Sequence, residues 1–101
     1  MNDERIVCQV SVRGRVQGVG FRAFVEYEAL RHGIAGWVRN RRDGSVEAVF
    51  AGPRQSVDGM IAACRVGPPA SRVDGLDQRE GSAAELALCR PGELFSALPT
   101  A

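Results

Sequence analysis

The chain has 101 residues, with 13 Lys and Arg against 12 Asp and Glu, so its formal net charge is only +1. This balance excludes a basic field that would draw the protein to nucleic acid or to a membrane surface, and no apolar run approaches membrane-spanning length. Three widely spaced cysteines and one histidine argue against a disulfide framework and against a zinc site. With a polar N-terminus over residues 1–5, we expect a cytoplasmic, metal-free domain.

The first half of the chain predicts a strand, a glycine loop and a helix. Apolar and polar residues alternate over Ile6–Arg13, which is typical of a half-buried strand. A loop with three glycines then leads over Gly14–Arg22 into a helix, which Gly33 is placed to end. Glu26 is expected to face solvent. The apolar stripe of this helix consists of Phe21, Phe24, Val25, Ala29 and Leu30.

The middle of the chain predicts a hairpin followed by a second helix. Two strands, over residues 34–41 and 45–51, are joined by Asp43-Gly44, a strong hairpin signal. Ser56 is placed to cap the helix that follows. The core stripe of that helix consists of Val57, Met60, Ile61 and Cys64, at positions i, i+3, i+4 and i+7.

The last third predicts one more strand and an ambiguous tail. Residues 71–80 form the fourth strand, residues 81–89 suit a loop or a short helical turn, and residues 93–98 suit an edge strand. The order strand, helix, strand, strand, helix, strand predicts an α+β fold. We expect a ferredoxin-like βαββαβ sandwich, with a mainly antiparallel sheet, two helices on one face and an extra C-terminal edge strand.

The glycine loop has the features of an anion site. Such a loop can turn several backbone N–H groups inward, and the start of a helix adds further free N–H groups. Arg22 lies in the first helical turn, where a cation is disfavoured unless an anion lies between it and the helix. The alternative is an ordinary glycine turn with Arg22 in water.

Asn40 is the second unusual residue, because Asn is depleted in strands. By parity it shares a face with Ile34, Gly36 and Val38, so on a covered face its amide would need a polar partner. The alternative is that Asn40 only starts the turn. We expect Trp37 to pack on the opposite face. The neighbouring arginines, which by default form a solvated hairpin flank, are Arg39, Arg41 and Arg42.

These two stretches together resemble the acylphosphatase family. Its first signature, G-R-V-Q-G-V-x-F/Y-R, is met over Gly14–Arg22, and its second, G-W/F-V-x-N-x-x-D-G-S/T-V-E/T, over Gly36–Glu47. The similarity covers about Val10–Glu80 and fades in the tail, where members of the family usually finish with a strand that completes the sheet. A single acylphosphatase-like domain over residues 1–101 is therefore expected.

The resemblance implies an enzyme, without metal or cofactor, that hydrolyses the carboxyl–phosphate bond of small acyl phosphates to carboxylate and inorganic phosphate. It implies that Asn40 orients the attacking water. The groups that it assigns to the phosphoryl group are Arg22 and the loop N–H groups of Val16, Gln17, Gly18, Val19 and Gly20. Inorganic phosphate is then expected to be both product and inhibitor, and the enzyme is expected to be a monomer.

The chemistry of these residues agrees with that substrate class. An acyl phosphate expels a carboxylate, whose conjugate acid has a pKa of about 4, so the leaving group needs no proton. What remains is to hold the phosphoryl oxygens and to place water in line. One alternative is a non-catalytic phosphate- or anion-binding regulatory module of the same fold. A single-stranded RNA binder is disfavoured, because the central strands lack the exposed aromatic residues that such a module needs.

Overall fold

A computed structural model of the chain describes residues 4–101, so the first three residues of the polar N-terminus lie outside the description. The five strands form one sheet in the order β4-β1-β3-β2-β5, antiparallel except where β2 and β5 run parallel. This confirms the predicted ferredoxin-like α+β sandwich and its extra edge strand. The elements are β1 (Arg5–Arg15), α1 (Phe21–Arg31), β2 (Ala35–Asn40), β3 (Val46–Pro53), α2 (Arg54–Val66), β4 (Arg72–Glu80), α3 (Ala83–Leu86) and β5 (Phe95–Ala97).

The main core lies between the two long helices and one face of the sheet. Alternate residues of β1 and β3, such as Val10 and Phe50, are fully buried on this face. The predicted stripe of α2 faces it as well, and burial raises the pKa of the Cys64 thiol to about 12, as expected of a core side chain. The side chains that α1 buries here are Phe21, Val25 and Ala29.

Two predictions at the helices were wrong. Leu30 was placed in the core stripe of α1 but is 53% exposed, because that stripe is narrower than the pattern indicated. Ser56 was expected to cap α2, yet α2 begins at Arg54, with Pro53 at its N-cap and no side-chain cap. The N–H of Arg54, the first residue of α2, donates instead to the Glu4 carbonyl oxygen at 2.8 Å.

The second face of the sheet is covered by the tail. Trp37 lies on this face, as predicted, and is 1% exposed. Its indole Nε1–H donates to the carbonyl oxygen of Glu85 at 2.7 Å, within the short helix α3. A capping box between Ser82 and Glu85 defines the start of α3. The segment that was ambiguous in sequence is thus a helical turn that covers the only tryptophan.

The hairpin predicted at Asp43-Gly44 connects β2 to β3. The Asp43 carboxylate accepts hydrogen bonds from the Ser45 hydroxyl at 2.7 Å and from the Ser45 N–H at 2.9 Å. These bonds lower the pKa of Asp43. Among residues 4–101, no helix is long and apolar enough to cross a membrane.

Candidate active site

The loop between β1 and α1 is shaped by glycines in the left-handed region of φ. Gly18 has φ +73° and Gly20 has φ +81°, and an added Cβ at either position would meet no heavy atom within 4 Å. Replacing either glycine would therefore strain the backbone, although there is room for a side chain. Val16, which is 1% exposed, anchors the start of the loop in the core.

The backbone N–H groups of this loop are available to a ligand. Those of residues 17–23 have no hydrogen-bond acceptor among residues 4–101. The first N–H that has one belongs to Phe24, which donates to the Gly20 carbonyl at 3.0 Å. No side chain of residues 4–101 caps α1, and its first turn holds no acidic residue. Because a helix N-terminus carries a partial positive charge, this run of donors suits an anion such as phosphate.

Arg22 and Asn40 line one cleft of about 310 Å³ beside the loop. Arg22 is exposed and makes no ion pair with any residue from 4 to 101. Asn40 is half-buried at the last position of β2, where it pairs with Val46 across the hairpin. Its side-chain amide forms no hydrogen bond within the described chain. Both side chains therefore present unused donors to the cleft.

Most of the residues predicted for the site line the cleft, although for residues 16–20 the prediction concerned their backbone N–H groups. The loop residues with atoms on the cleft are Val16, Gly18 and Gly20. Val19 instead packs against the core. The side chain of Gln17 also lies outside the cleft, because its amide donates to two backbone carbonyls of the hairpin.

Four residues on the cleft were not predicted for the site: Phe21 and Ala23, beside Arg22 in the first turn of α1, and Glu26 and Ala97. Glu26 was expected to face solvent, but it is half-buried and lines the cleft. It lies four residues after Arg22, so its position on the same helix face was readable from helical spacing. Ala97 reaches the cleft from β5. Only the pairing of β5 with β2 places Ala97 there, and no local pattern signals it.

The arginines of the hairpin flank form a separate cluster. Glu47 accepts from Arg39 at 2.9 Å and from Arg41 at 3.2 Å. The guanidinium of Arg39 also lies over the Trp37 ring, 4.7 Å from its centroid. Two of the three arginines thus share one carboxylate, and among residues 4–101 only Arg42 of this group has no ion pair.

A larger pocket, of about 630 Å³, lies at the start of β1, and it is less suited to an anion than the cleft is. Two of its arginines are already paired, Arg54 with Glu4 at 2.9 Å and Arg79 with Glu85. Burial raises the pKa of the Cys8 thiol, which lines this pocket, so the thiol stays protonated at neutral pH. Within residues 4–101, no group of three or more His, Cys, Asp or Glu residues could hold a metal ion.

Comparison with known proteins identifies relatives that match nearly the whole chain. The family model of acylphosphatases matches residues 8–86. The chain is 63% identical over 95 residues to an acylphosphatase of Rhodopseudomonas palustris (strain BisB18), which covers 94% of this chain and 96% of that protein. The match thus spans the loop, the hairpin and most of the tail.

Solved structures give the same result. The fold is similar to the crystal structure of acylphosphatase from Bacillus subtilis, with a TM-score of 0.80 and 37% identity over 92% of this chain and 98% of that one. It is also similar to part of full-length HypF, with a TM-score of 0.82 and 24% identity over 99% of this chain but 13% of that one. At that identity the second likeness shows the fold alone.

Proposed function

The chain belongs to the acylphosphatase family, and on that basis we propose how its cleft carries out the reaction. The protein is an enzyme that hydrolyses the carboxyl–phosphate bond of acyl phosphates to a carboxylate and inorganic phosphate. One observation carries the proposed mechanism: the Arg22 guanidinium, the Asn40 amide and backbone N–H groups of the loop line the same cleft, and none of them has a partner within residues 4–101.

In this mechanism the phosphoryl group binds between Arg22 and the loop. The guanidinium of Arg22 binds two of the three phosphoryl oxygens with two parallel N–H donors, and the N–H groups of residues 16–20 bind the third. The partial positive charge of the α1 N-terminus adds to the attraction. Because Arg22 has no carboxylate partner within residues 4–101, binding of phosphate breaks no ion pair of this side chain.

Asn40 orients the attacking water. Its amide offers an acceptor and two donors at the edge of the cleft, and none of these is used by another residue from 4 to 101. A water held there is placed in line with the bond that breaks, and such positioning supplies most of the catalysis in phosphoryl transfer.

The leaving group selects the substrate class. The expelled carboxylate needs no general acid, whereas the alkoxide of an ordinary phosphate ester does. The cleft contains one carboxylate, Glu26, to which this mechanism assigns no proton transfer. Its volume of about 310 Å³ and the small side chains of Ala23 and Ala97 suit a small acyl group.

Other parts of the proposal concern the protein in its cell. The cleft is built from one chain's loop, α1, β2 and β5, so a monomer is sufficient for activity. Cys8, Cys64 and Cys89 are all free thiols, which suits the cytoplasm. The near-neutral net charge gives no reason for a nucleic-acid or membrane partner. We propose one domain over residues 1–101, with inorganic phosphate as product and inhibitor.

The test is hydrolysis of benzoyl phosphate by purified, chelator-treated protein, with Arg22→Ala and Arg42→Ala as a matched pair. Both arginines are exposed and unpaired within residues 4–101, but only Arg22 lines the cleft. We expect Arg22→Ala alone to lose turnover and competitive inhibition by phosphate. If the native protein binds phosphate without turnover, the non-catalytic anion-binding module of the same fold is the correct function.

A further inference from the structure

The side chain of Gln17 joins the phosphate loop to the hairpin that carries Asn40. Its amide Nε2 donates one hydrogen to the carbonyl oxygen of Arg41 at 2.7 Å and the other to that of Ser45 at 2.8 Å. Both donors of the amide are therefore used. Among residues 4–101, no other side-chain hydrogen bond links residues 16–20 to residues 40–46.

The two carbonyls that Gln17 binds are those that close the hairpin turn. Arg41 N–H donates to the Ser45 carbonyl at 2.8 Å, and Gly44 N–H donates to the Arg41 carbonyl at 3.1 Å. Each carbonyl thus accepts one bond from the turn itself and one from Gln17. The position of the turn, and of the residue that precedes it, is thereby tied to the loop.

This tie matters because the two halves of the cleft are carried by separate elements. The loop N–H groups and Arg22 follow β1, whereas Asn40 lies at the end of β2, next to Arg41. In-line attack requires the water and the phosphorus to be held at one distance and direction, and a misplacement of about 1 Å can cost roughly a hundredfold in rate.

We propose that Gln17 is a positioning residue, which sets the distance between the bound phosphoryl group and the water held by Asn40. The inference rests on the proposed function of Asn40 and goes beyond the role of the loop N–H groups. An amide is required, since a carboxylate at this position would face two carbonyl oxygens without a hydrogen to share. The side chain itself does not touch the substrate.

The test is a double-mutant cycle on kcat with Gln17→Met, Asn40→Ala and the double variant. Methionine keeps the length and bulk of glutamine but has no donor. We expect Gln17→Met to lower kcat about tenfold or more, with the inhibition constant for phosphate changed less than about threefold. In the double variant we expect no further loss beyond that of Asn40→Ala, because Gln17 acts through the water held by Asn40.

A matched control is Gln9→Met. The amide of Gln9 also has two acceptors, Ser11 Oγ at 3.4 Å and Glu47 Oε2 at 2.9 Å, but neither hydrogen bond reaches the loop. Gln9→Met should leave kcat unchanged, both in the otherwise native protein and in the Asn40→Ala variant, even where it lowers the stability of the fold. The folded fraction of every variant is measured by the fluorescence of Trp37, and kcat is expressed per folded molecule.

Each failure has its own signature. If Gln17→Met keeps its kcat, or if the losses of the two single variants multiply in the double variant, the positioning role is wrong. If Gln17→Met does not fold, Gln17→Ala is measured in the same cycle, and loss of folding in both variants would make Gln17 a structural residue and overturn the inference. If Asn40→Ala itself keeps its kcat, the proposed role of Asn40 fails instead.

Discussion

Replacement of Asn40 by alanine distinguishes whether the side chain of Asn40 acts in catalysis or only forms the turn. A turn residue owes its effect to local hydrogen bonds, and its loss lowers stability. The side chain of Asn40 makes no hydrogen bond within residues 4–101. Its backbone carbonyl accepts from Ala101 N–H at 3.0 Å, and its strand position faces Val46. Alanine retains both of these backbone features.

The magnitudes follow from this geometry. Because no intramolecular side-chain bond is lost, we expect the free energy of unfolding to change by less than about 0.5 kcal/mol, as for other substitutions away from packed features. If Asn40 holds the water, kcat should fall about a hundredfold, which corresponds to roughly 2.7 kcal/mol of activation free energy. Inhibition by phosphate should persist, since Arg22 and the loop bind the anion.

The assay combines benzoyl phosphate hydrolysis, phosphate inhibition and urea unfolding followed by Trp37 fluorescence. Asp43→Ala is the comparison, because the Asp43 side chain does hold the turn through two bonds to Ser45. We expect it to lower the urea midpoint but to change kcat per folded molecule less than about threefold, because Gln17 still bonds the Arg41 and Ser45 carbonyls and holds the turn in place. An Asn40→Ala protein with the same profile as Asp43→Ala would refute the reasoning and remove Asn40 from the site.

The remaining predictions concern charge and protons. Arg22→Lys should lose about a hundredfold or more in kcat/KM, nearly as much as Arg22→Ala, because lysine cannot offer two parallel donors in one plane. Near-normal turnover of Arg22→Lys would show that the positive charge alone suffices. Glu26→Gln should keep kcat within about threefold, since the leaving carboxylate needs no proton, and a hundredfold loss would instead assign Glu26 a proton transfer. EDTA should leave the rate unchanged, and loss restored by a divalent cation would contradict the mechanism. Arg79 lowers the pKa of Glu85 from 4.5 to about 2, so this pair's stabilisation is fully present above about pH 4.5 and is lost as pH falls through about 2. Glu85→Gln should flatten the loss of stability in that range, measured by Trp37 fluorescence, and an unchanged slope would mean that other carboxylates control it.

Local periodicity was a reliable guide to the elements. The alternation through Val10 and Val12 predicted β1, and the spacing of Val57 and Cys64 predicted the buried stripe of α2. Such patterns succeed because side-chain direction follows directly from the backbone repeat. They failed at Leu30, since a pattern gives the direction of a stripe but not the width of the surface that covers it.

The candidate site, like the fold, was predicted only in part. Both signatures placed Arg22 on a helix start and Asn40 at a strand end, and the structure places both on one cleft. Glu26 was assigned to solvent because it lies outside the apolar stripe of α1, and the opposite wall of the cleft is contributed by a distant strand. That wall contains Ala97, whose place depends on a parallel pairing of β5 with β2.

By itself, the sequence determined the family, the order of the main elements and the two residues most suited to the chemistry. These depend on local spacing and on side-chain type. The tertiary structure decided what those elements meet: that α3 covers Trp37, that Ala97 closes the cleft, and that the amide of Gln17 reaches the hairpin. Contacts of this kind join residues far apart in the chain. Their geometry is set by strand register and by packing of the whole sheet, to which no local pattern gives access.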